Sequence, residues 1–184
     1  MSFIRRSGSD SLEEEEAGAV QVPIARTFHG PARAAGRDPV EYRIELLGEH
    51  PRHSAVLQLA ADRAGWGKPL AEGKARGVAL HESFNTRVAQ VAELSRMPNG
   101  GFQIDRVVIA VDCGIAINPD VIRAQMESGI IFGLTAALHG QIDFVDGRVR
   151  QSNFHDYRML KLAEVPEIDV HIIPSLESPG GVGE

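Results

Sequence analysis

The sequence predicts an α+β fold, in which a mostly antiparallel sheet is covered by helices and preceded by a small helical hairpin. Three observations lead to this prediction. Two capped helical segments come early, several short strand-like segments follow, and a long capped helix precedes a tight hairpin and one last strand. With 184 residues, of which 43% are hydrophobic, the chain is long enough to form one proper hydrophobic core.

Composition excludes several classes of protein. The net charge is −6 and there is no arginine- or lysine-rich stripe, which argues against a nucleic-acid partner. The single cysteine allows no intrachain disulfide and no ordinary iron–sulfur cluster. No apolar run approaches the roughly 18 residues of a membrane span. Because no signal sequence is visible, we expect a soluble protein, in the cytoplasm rather than the periplasm.

The first 30 residues show no hydrophobic periodicity. Glu13 to Glu16 are four like charges in a row, which are better solvated than packed. We therefore predict a disordered tail over residues 1–30.

Residues 31–67 predict a helical hairpin. In "RDPVEYRIELLGEHP", Asp38 is placed to cap a helix whose first position is Pro39. One face of this helix carries Val40, Ile44 and Leu47. A second helix is predicted in "SAVLQLAADRAGWG", closing at Gly65.

Residues 76–184 predict the α+β domain. "GVALHESF" and "TRVAQVAEL" are typical of short strands, and "MPNGG" is typical of a turn. In "FQIDRVVIAVDCG", residues 107–111 are apolar throughout, as in a strand covered on both faces.

The longest predicted helix is "INPDVIRAQMESGIIFGLTAALHG", with Asn118 as its cap and Pro119 at its first position. After it, "QIDFVDGRVRQ" predicts a hairpin, because Asp146-Gly147 is a preferred type I′ pair. "EIDVHIIP" predicts a final strand.

Several residue types could carry chemistry, and most have a simpler explanation. His50 and His53 have an i, i+3 spacing, but Pro51 lies between them and no third ligand is near, so zinc binding is disfavoured and no metal site is predicted. Cys113 ends an apolar strand and reads as a core residue rather than a nucleophile. A Ser-His-Asp triad stays open, although no "GxSxG" motif is present.

The long helix carries an unusual number of small residues, including Gly129 and Gly133. Glycine in a helix interior costs about 1 kcal/mol relative to alanine, so a close approach at these positions is expected. Either the sheet packs there, or a bound group lies against that face. Gln125 is the polar exception on this mainly apolar helix and is placed to hydrogen-bond such a group.

The chain ends with "SPGGVGE", a poor helix and a poor strand. Glycines let the backbone pass close to a ligand, and a carboxylate on such a segment suits a general base shielded from water. The alternative is a frayed terminus with no function.

Taken together, "RGVALHESFNTRVAQVAEL", "VDCGIAINPDVIRAQMESGIIFGLTAALHG", "DGRVRQSNFHDYRML" and "PGGVGE" closely resemble the molybdopterin-binding large subunit of the xanthine dehydrogenase and aldehyde oxidase family. Within it, the isoquinoline 1-oxidoreductase beta subunits and related aldehyde dehydrogenases are most similar. The resemblance runs from about Ala34 to Glu184, and the first 33 residues do not share it.

The resemblance implies a molybdopterin cofactor, in the cytosine dinucleotide form. It implies that Glu184 is the active-site base and that Gln125 hydrogen-bonds the pterin. Gly129, Gly181 and Gly183 would be further cofactor contacts. The implied reaction is the water-dependent hydroxylation of an N-heterocycle or oxidation of an aldehyde, with electrons leaving through iron–sulfur clusters.

The departures from the family bear on activity. Family members are several times longer, and their earlier glycine-rich cofactor-binding segments are absent here. Glu184 also carries the free α-carboxylate, and two neighbouring negative charges raise the pKa of one of them. We therefore expect a fragment or truncated subunit that is inactive alone and that requires the remainder of the large subunit and a small iron–sulfur subunit. Exposed former interfaces predict a homodimer. The alternative is a non-catalytic folded remnant that acts as a packing or interaction module.

Overall fold

The computed structural model describes residues 29–183, with side chains from residue 31. Most of the predicted tail and Glu184 therefore lie outside the described residues. Helices come first: α1 (His29–Ala34), α2 (Pro39–Leu46) and α3 (Pro51–Arg63). Three strands follow, β1 (Lys74–Ser83), β2 (Thr86–Arg96) and β3 (Phe102–Asp112). The remainder comprises α4 (Pro119–His139), the short strands β4 (Phe144–Val145) and β5 (Arg148–Val149), two 3₁₀ turns (Phe154–Asp156 and Leu162–Glu164) and β6 (Glu167–Ile172).

The helix boundaries follow largely from local signals. The Asp38 carboxylate accepts hydrogen bonds from the backbone N–H groups of Val40 and Glu41 at 2.8 and 3.1 Å, so the predicted cap is confirmed. Helix α3 begins at Pro51, three residues before the stretch in which a helix was predicted, because proline suits the first helical turn. Helix α1 was not predicted.

The main sheet has the strand order β1-β2-β3-β6. The first three strands pair antiparallel, and β6 pairs parallel to β3, so the predicted mostly antiparallel sheet is confirmed. Strands β4 and β5 form the predicted hairpin, which the structure shows to be separate from the main sheet. At its turn Asp146 and Gly147 have φ of 50° and 74°, which the type I′ turn requires.

The hairpin of α2 and α3 packs on one face of the sheet. A single core joins the two layers, and its fully buried members include Val56, Leu57 and Ala60 from α3 and Ala89, Val91 and Val108 from the strands. Because the helices and the sheet share this core, neither layer buries its apolar face without the other. The division of the chain into a tail, a hairpin and a larger domain stays a prediction.

Helix α4 packs on the opposite face of the sheet. Its Ile130 joins Val107 and Ile109 of β3, while its Ile122 joins Val111 and Cys113. The continuous apolar run of β3 is therefore covered on both faces, as its composition predicted. The two helical layers and the sheet between them place the amino-terminal half of α4 beside the end of β3.

Much of the remaining surface of α4 is exposed and apolar. Val121 and Phe132 are 52% and 55% exposed, and Ile117 just before the helix is 82% exposed. Within residues 29–183, α4 is the one helix whose length and composition would allow it to cross a membrane, which is weak evidence for a span. One side of it packs on the sheet, as in a core helix of a folded domain.

Candidate functional site

Residues 177–183, which we call the glycine strap, are held by close backbone contacts on several sides. The strap begins against the loop that joins β3 to α4, where Ile115 N–H donates to the carbonyl of Glu177 at 3.0 Å. At the same loop Gly114 has φ of +73°, and a Cβ there would lie 2.6 Å from the Glu177 carbonyl oxygen and closer still to that of Ser178. Only glycine allows the strap to pass here.

The middle of the strap runs between two loops. Gly180 N–H donates to the carbonyl of Cys113 at 2.8 Å, and Gly181 N–H donates to the carbonyl of Phe84 at 2.8 Å. A Cβ on Gly180 would lie 2.7 Å from the carbonyl oxygen of Asn85, so this contact also requires glycine. The turn between β1 and β2 and the loop after β3 therefore hold the strap from both sides.

The end of the strap reaches helix α4. Val182 packs against the cluster of Val111, Cys113 and Ile122, which anchors the segment by an apolar side chain. At Gly183, a Cβ would lie 3.3 Å from Nε2 of Gln125. Two residues that the sequence placed in one site, Gln125 and Gly183, are thus neighbours in the structure. Glu184, the predicted base, lies outside the described residues.

The side-chain amide of Gln125 has no hydrogen-bond partner among the residues that the structure describes. The side chain is half-buried, and it makes no hydrogen bond to any other residue between 29 and 183. A half-buried amide without protein partners gains free energy when a bound group supplies them. Its place on the first half of α4, beside the strap, is where a hydrogen bond to a cofactor was predicted.

The small-residue face of α4 is open. Gly129 is exposed, and no described residue lies within 4 Å of the position that its Cβ would occupy; the same is true of Gly133. Packing of the sheet against these glycines, one of the two explanations offered by the sequence, is therefore wrong for the described residues. The space beside Gly129 fits the other explanation, a bound group. In contrast, a contact within the chain accounts for glycine at position 181, because a Cβ on Gly181 would lie 2.9 Å from Cβ of Phe84.

A cluster of charged side chains lies at the end of the sheet where the glycine strap passes. The guanidinium of Arg52 donates to both carboxylate oxygens of Asp112, at 2.6 and 2.8 Å. The hydrogen bond from Arg52 holds the pKa of Asp112 below its usual range, against the opposing effect of burial. The same bond raises the pKa of Arg52. Sequence patterns did not point to this pair, since its members lie far apart along the chain.

The other chemistry-bearing candidates have structural roles. Cys113 is buried, and burial raises the pKa of its thiol, which disfavours the nucleophilic thiolate. His50 and His53 contact each other edge to face, with ring centroids 5.5 Å apart. Nowhere in residues 29–183 do three His, Cys, Asp or Glu side chains group in a way that could hold a metal ion.

A polar cavity of about 400 Å³ lies beyond the carboxyl end of α4 and was not predicted. Its lining side chains are His139, Gln141, Asp143, Arg150, Gln151 and Asp156. Hydrogen bonds from Gln141 and Gln151 lower the pKa of Asp143. Nε2 of His139 is buried there without a hydrogen-bond partner among the described residues. Its residues come from a helix end and irregular loops, whose spacing carries no recognisable pattern.

The Gln125 amide, which has no hydrogen-bond partner among the described residues, lies beside an exposed face of α4 and is suited to binding a ligand. The comparison with known proteins makes this specific. Residues 59–166, more than half of the chain, match the family model of the molybdopterin cofactor-binding domain, and the chain belongs to that family. The predicted family resemblance is thereby confirmed.

Individual relatives agree with the family. The chain is 38% identical over 158 residues to isoquinoline 1-oxidoreductase subunit beta of Brevundimonas diminuta, covering 83% of this chain and 20% of that subunit. It is 31% identical over 170 residues to an enzyme of Gluconacetobacter polyoxogenes named membrane-bound aldehyde dehydrogenase [pyrroloquinoline-quinone], covering 80% of this chain and 22% of that enzyme. The chain thus spans about a fifth of the length of these relatives.

Among solved structures, reconstituted CO dehydrogenase from Oligotropha carboxidovorans resembles the chain with a TM-score of 0.48 and 22% identity. The similar part covers 53% of this chain and 13% of that one.

Proposed function

We propose that this chain supplies part of the cofactor site of a molybdenum hydroxylase, which hydroxylates N-heterocycles or oxidises aldehydes with oxygen from water. One observation carries the proposal. The glycine strap is held so that Gly183 lies beside Gln125, whose amide has no hydrogen-bond partner within residues 29–183. The residue that follows, Glu184, is the base that the family resemblance implies.

The residues present fit a molybdopterin. The Gln125 amide would donate a hydrogen bond to it, and the open space beside Gly129 would leave room for it against α4. Gly181 and Gly183 would offer backbone contacts. When bound, the cofactor supplies the two-electron redox chemistry, and we propose the cytosine dinucleotide form.

The chain's own contribution is placement and proton transfer. The hydrogen bonds of Gly180 and Gly181 and the packing of Val182 fix the backbone immediately before the glutamate. A carboxylate on a fixed backbone loses little conformational freedom when it accepts a proton from the reacting group.

We further propose that other chain segments complete the site. The relatives are subunits about five times as long as the matched region, so the substrate pocket would be formed largely elsewhere. Electrons would leave through a small iron–sulfur subunit. Without these partners the chain would be inactive. Its exposed apolar residues on α4 would then favour a homodimer, and sedimentation that shows only monomer at high concentration would count against that assembly.

The competing function is a non-catalytic module. The exposed apolar surface around Val121 and Phe132 favours an interaction role as much as it favours a place within a larger subunit. The two functions differ in whether the Gln125 amide and Glu184 matter for oxidation of a substrate.

A chimera separates them. The matched segment of the Brevundimonas diminuta subunit is replaced by this chain, and the enzyme is assayed for molybdenum content and for isoquinoline oxidation with an artificial electron acceptor. We expect molybdenum loading and turnover. Glu184→Gln should abolish turnover with molybdenum retained, and Gln125→Leu should lower molybdenum content.

Glu127→Gln is the matched control, because Glu127 is exposed on the opposite side of α4 from Gln125. It should leave both readouts unchanged. A chimera that loads molybdenum but turns over equally well with Glu184→Gln would refute the proposed base, and a folded chimera without molybdenum would favour the non-catalytic module.

A further inference from the structure

We propose that Arg52 and His53, in the first turn of α3, are positioning residues for the glycine strap. Each braces one of the two loops between which the strap passes. The catalytic consequence rests on the proposed function above, whereas the positioning itself concerns only contacts within the described chain.

Arg52 braces the loop after β3. Its guanidinium forms a fork on the Asp112 carboxylate, with Nε on Oδ2 at 2.6 Å and Nη2 on Oδ1 at 2.8 Å. The same Oδ1 accepts the backbone N–H of Gly114 at 3.0 Å. Gly114 is the residue over which the strap passes, so the orientation of the Asp112 carboxylate sets the loop that receives it. A bidentate arginine fixes that orientation more tightly than a single hydrogen bond.

His53 braces the turn between β1 and β2. Its Nε2 lies 2.7 Å from Oε2 of Glu82, and the other oxygen of Glu82 lies 2.5 Å from Nη2 of Arg87. Arg87 in turn donates through Nη1 to the backbone and side-chain oxygens of Asn85, both at 2.8 Å.

The turn that this chain of contacts reaches is strained. Phe84 and Asn85 have φ of 47° and 61°, a conformation that non-glycine residues rarely adopt without support. The carbonyl of Phe84 accepts a hydrogen bond from the N–H of Gly181. By supporting this turn, α3 therefore fixes the second of the two loops that bind the strap.

The two braces form one cluster. Glu82 lies opposite Arg87 in the β1–β2 register, and Arg87 lies opposite Asp112 in the β2–β3 register. Charges thus alternate across the three strands, and opposite charges on neighbouring strands stabilise the pairing. The first turn of α3 covers this row of charges, on the face of the sheet that α2 and α3 cover.

The placement of two basic residues in that turn runs against local preference. The amino end of a helix favours acidic side chains, yet the first turn of α3 carries Arg52 and His53 and no acidic residue. Their partners in the sheet account for their position. A conflict between local preference and observed sequence is expected where a residue serves a site.

The same layer offers a matched control. At the other end of the sheet Arg76 donates to Glu93 at 3.2 Å and to the carbonyl of Gly65, at the end of α3, at 2.8 Å. Arg76 thus joins β1 to β2 through a carboxylate and to the residues after α3 through a carbonyl, and the side chains of Arg76 and Glu93 are each only 15% exposed. None of its contacts involves the strap.

Backbone hydrogen exchange, followed by NMR on the 184-residue chain, tests the positioning. The reporters are the N–H groups of Ile115 and Gly180 for the Arg52 brace, and that of Gly181 for the His53 brace. We expect Arg52→Gln to accelerate exchange at the first two at least tenfold. We expect His53→Gln to act mainly on the third.

The control decides between positioning and general stability. Arg76→Gln should leave all three reporters within twofold of the unchanged chain. If Arg52→Gln instead accelerates exchange equally at the reporters and at Ala89 in the centre of the sheet, Arg52 is merely structural and the proposal is overturned. Arg52→Lys keeps the charge but cannot form the bidentate contact. Because it is the milder change, it should accelerate exchange at the same two N–H groups by about threefold. A uniform change for Arg52→Lys would overturn the proposal as well.

The chimeric enzyme tests the catalytic consequence. Arg52→Gln should lower kcat about tenfold or more, with KM changed less than threefold and molybdenum content lowered much less than kcat, because the strap carries Glu184 and supplies only a part of the proposed cofactor contacts. An equal fall in molybdenum content and kcat would contradict positioning. If the parental chimera has no activity, the proposed function fails, while the exchange pattern, which requires no cofactor, still decides whether Arg52 and His53 hold the strap.

Discussion

Replacement of Gly114 by alanine should destabilise the chain strongly. Two independent effects add at this position. An alanine at φ of +73° costs about 1–2 kcal/mol because the left-handed region crowds the Cβ. That Cβ would also lie 2.6 Å from the Glu177 carbonyl oxygen, and relief of such overpacking costs about 1–3 kcal/mol. We therefore expect the free energy of unfolding to fall by about 2–5 kcal/mol.

Gly100→Ala isolates the first effect. Gly100 has φ of +85°, but nothing lies within 4 Å of its Cβ position, so only the backbone cost of about 1–2 kcal/mol applies. Both variants are compared with the unchanged chain by urea denaturation at equal protein concentration. The difference between the two variants measures the contact between the loop and the strap.

The outcome can contradict the reasoning directly. If Gly114→Ala and Gly100→Ala lower the free energy of unfolding by the same amount, within about 0.5 kcal/mol, the strap does not press on Gly114. The hydrogen bonds that hold the strap would then be too weak to position the residue after it.

Three further predictions concern the other layers. Gly129→Ala should stabilise the chain by up to about 1 kcal/mol in urea denaturation, because no described residue fills the space around it and alanine favours a helix. The same change should lower the molybdenum content of the chimera, because the added methyl group narrows the proposed cofactor space. Asp112→Asn leaves Arg52 without its carboxylate and should lower the free energy of unfolding by about 3 kcal/mol, measured the same way; a loss below about 1 kcal/mol would show that the pair is solvated. Burial lowers the pKa of both His53 and His81 in the folded chain, so the unfolded chain binds protons first as the pH falls below about 6.5. Stability should therefore decrease between pH 7 and 5, and His53→Gln together with His81→Gln should flatten that decrease; an unchanged pH profile would contradict the burial effect.

Secondary structure followed from the sequence wherever the signal was local. Asp38 and Asn118 cap their helices, and Asp146-Gly147 forms its turn, because each effect acts within three or four residues. The continuous apolar run of β3 required cover on both faces, which the two helical layers provide. The start of α3 was placed too late because His50 makes no side-chain cap, so that Pro51 was its only local signal.

The candidate site was predictable only in part. Family-like motifs pointed to Gln125, Gly129 and the glycine segment without showing that they meet. Sequence patterns left open whether the glycines of α4 allow the sheet to pack closely or leave room for a bound group. The open space beside Gly129 decided against packing, because the sheet touches only the neighbouring faces of the helix.

The sequence by itself determined the elements, their caps and turns, and membership of the family, since these depend on short-range backbone preferences and on motifs read in order. Tertiary structure alone decided which of those elements touch. It brought Arg52 to Asp112, formed the polar cavity beside His139, and set Gly180 against the turn at Asn85. These contacts join residues far apart in the chain, and their energies depend on burial and distance, which no spacing in a sequence encodes.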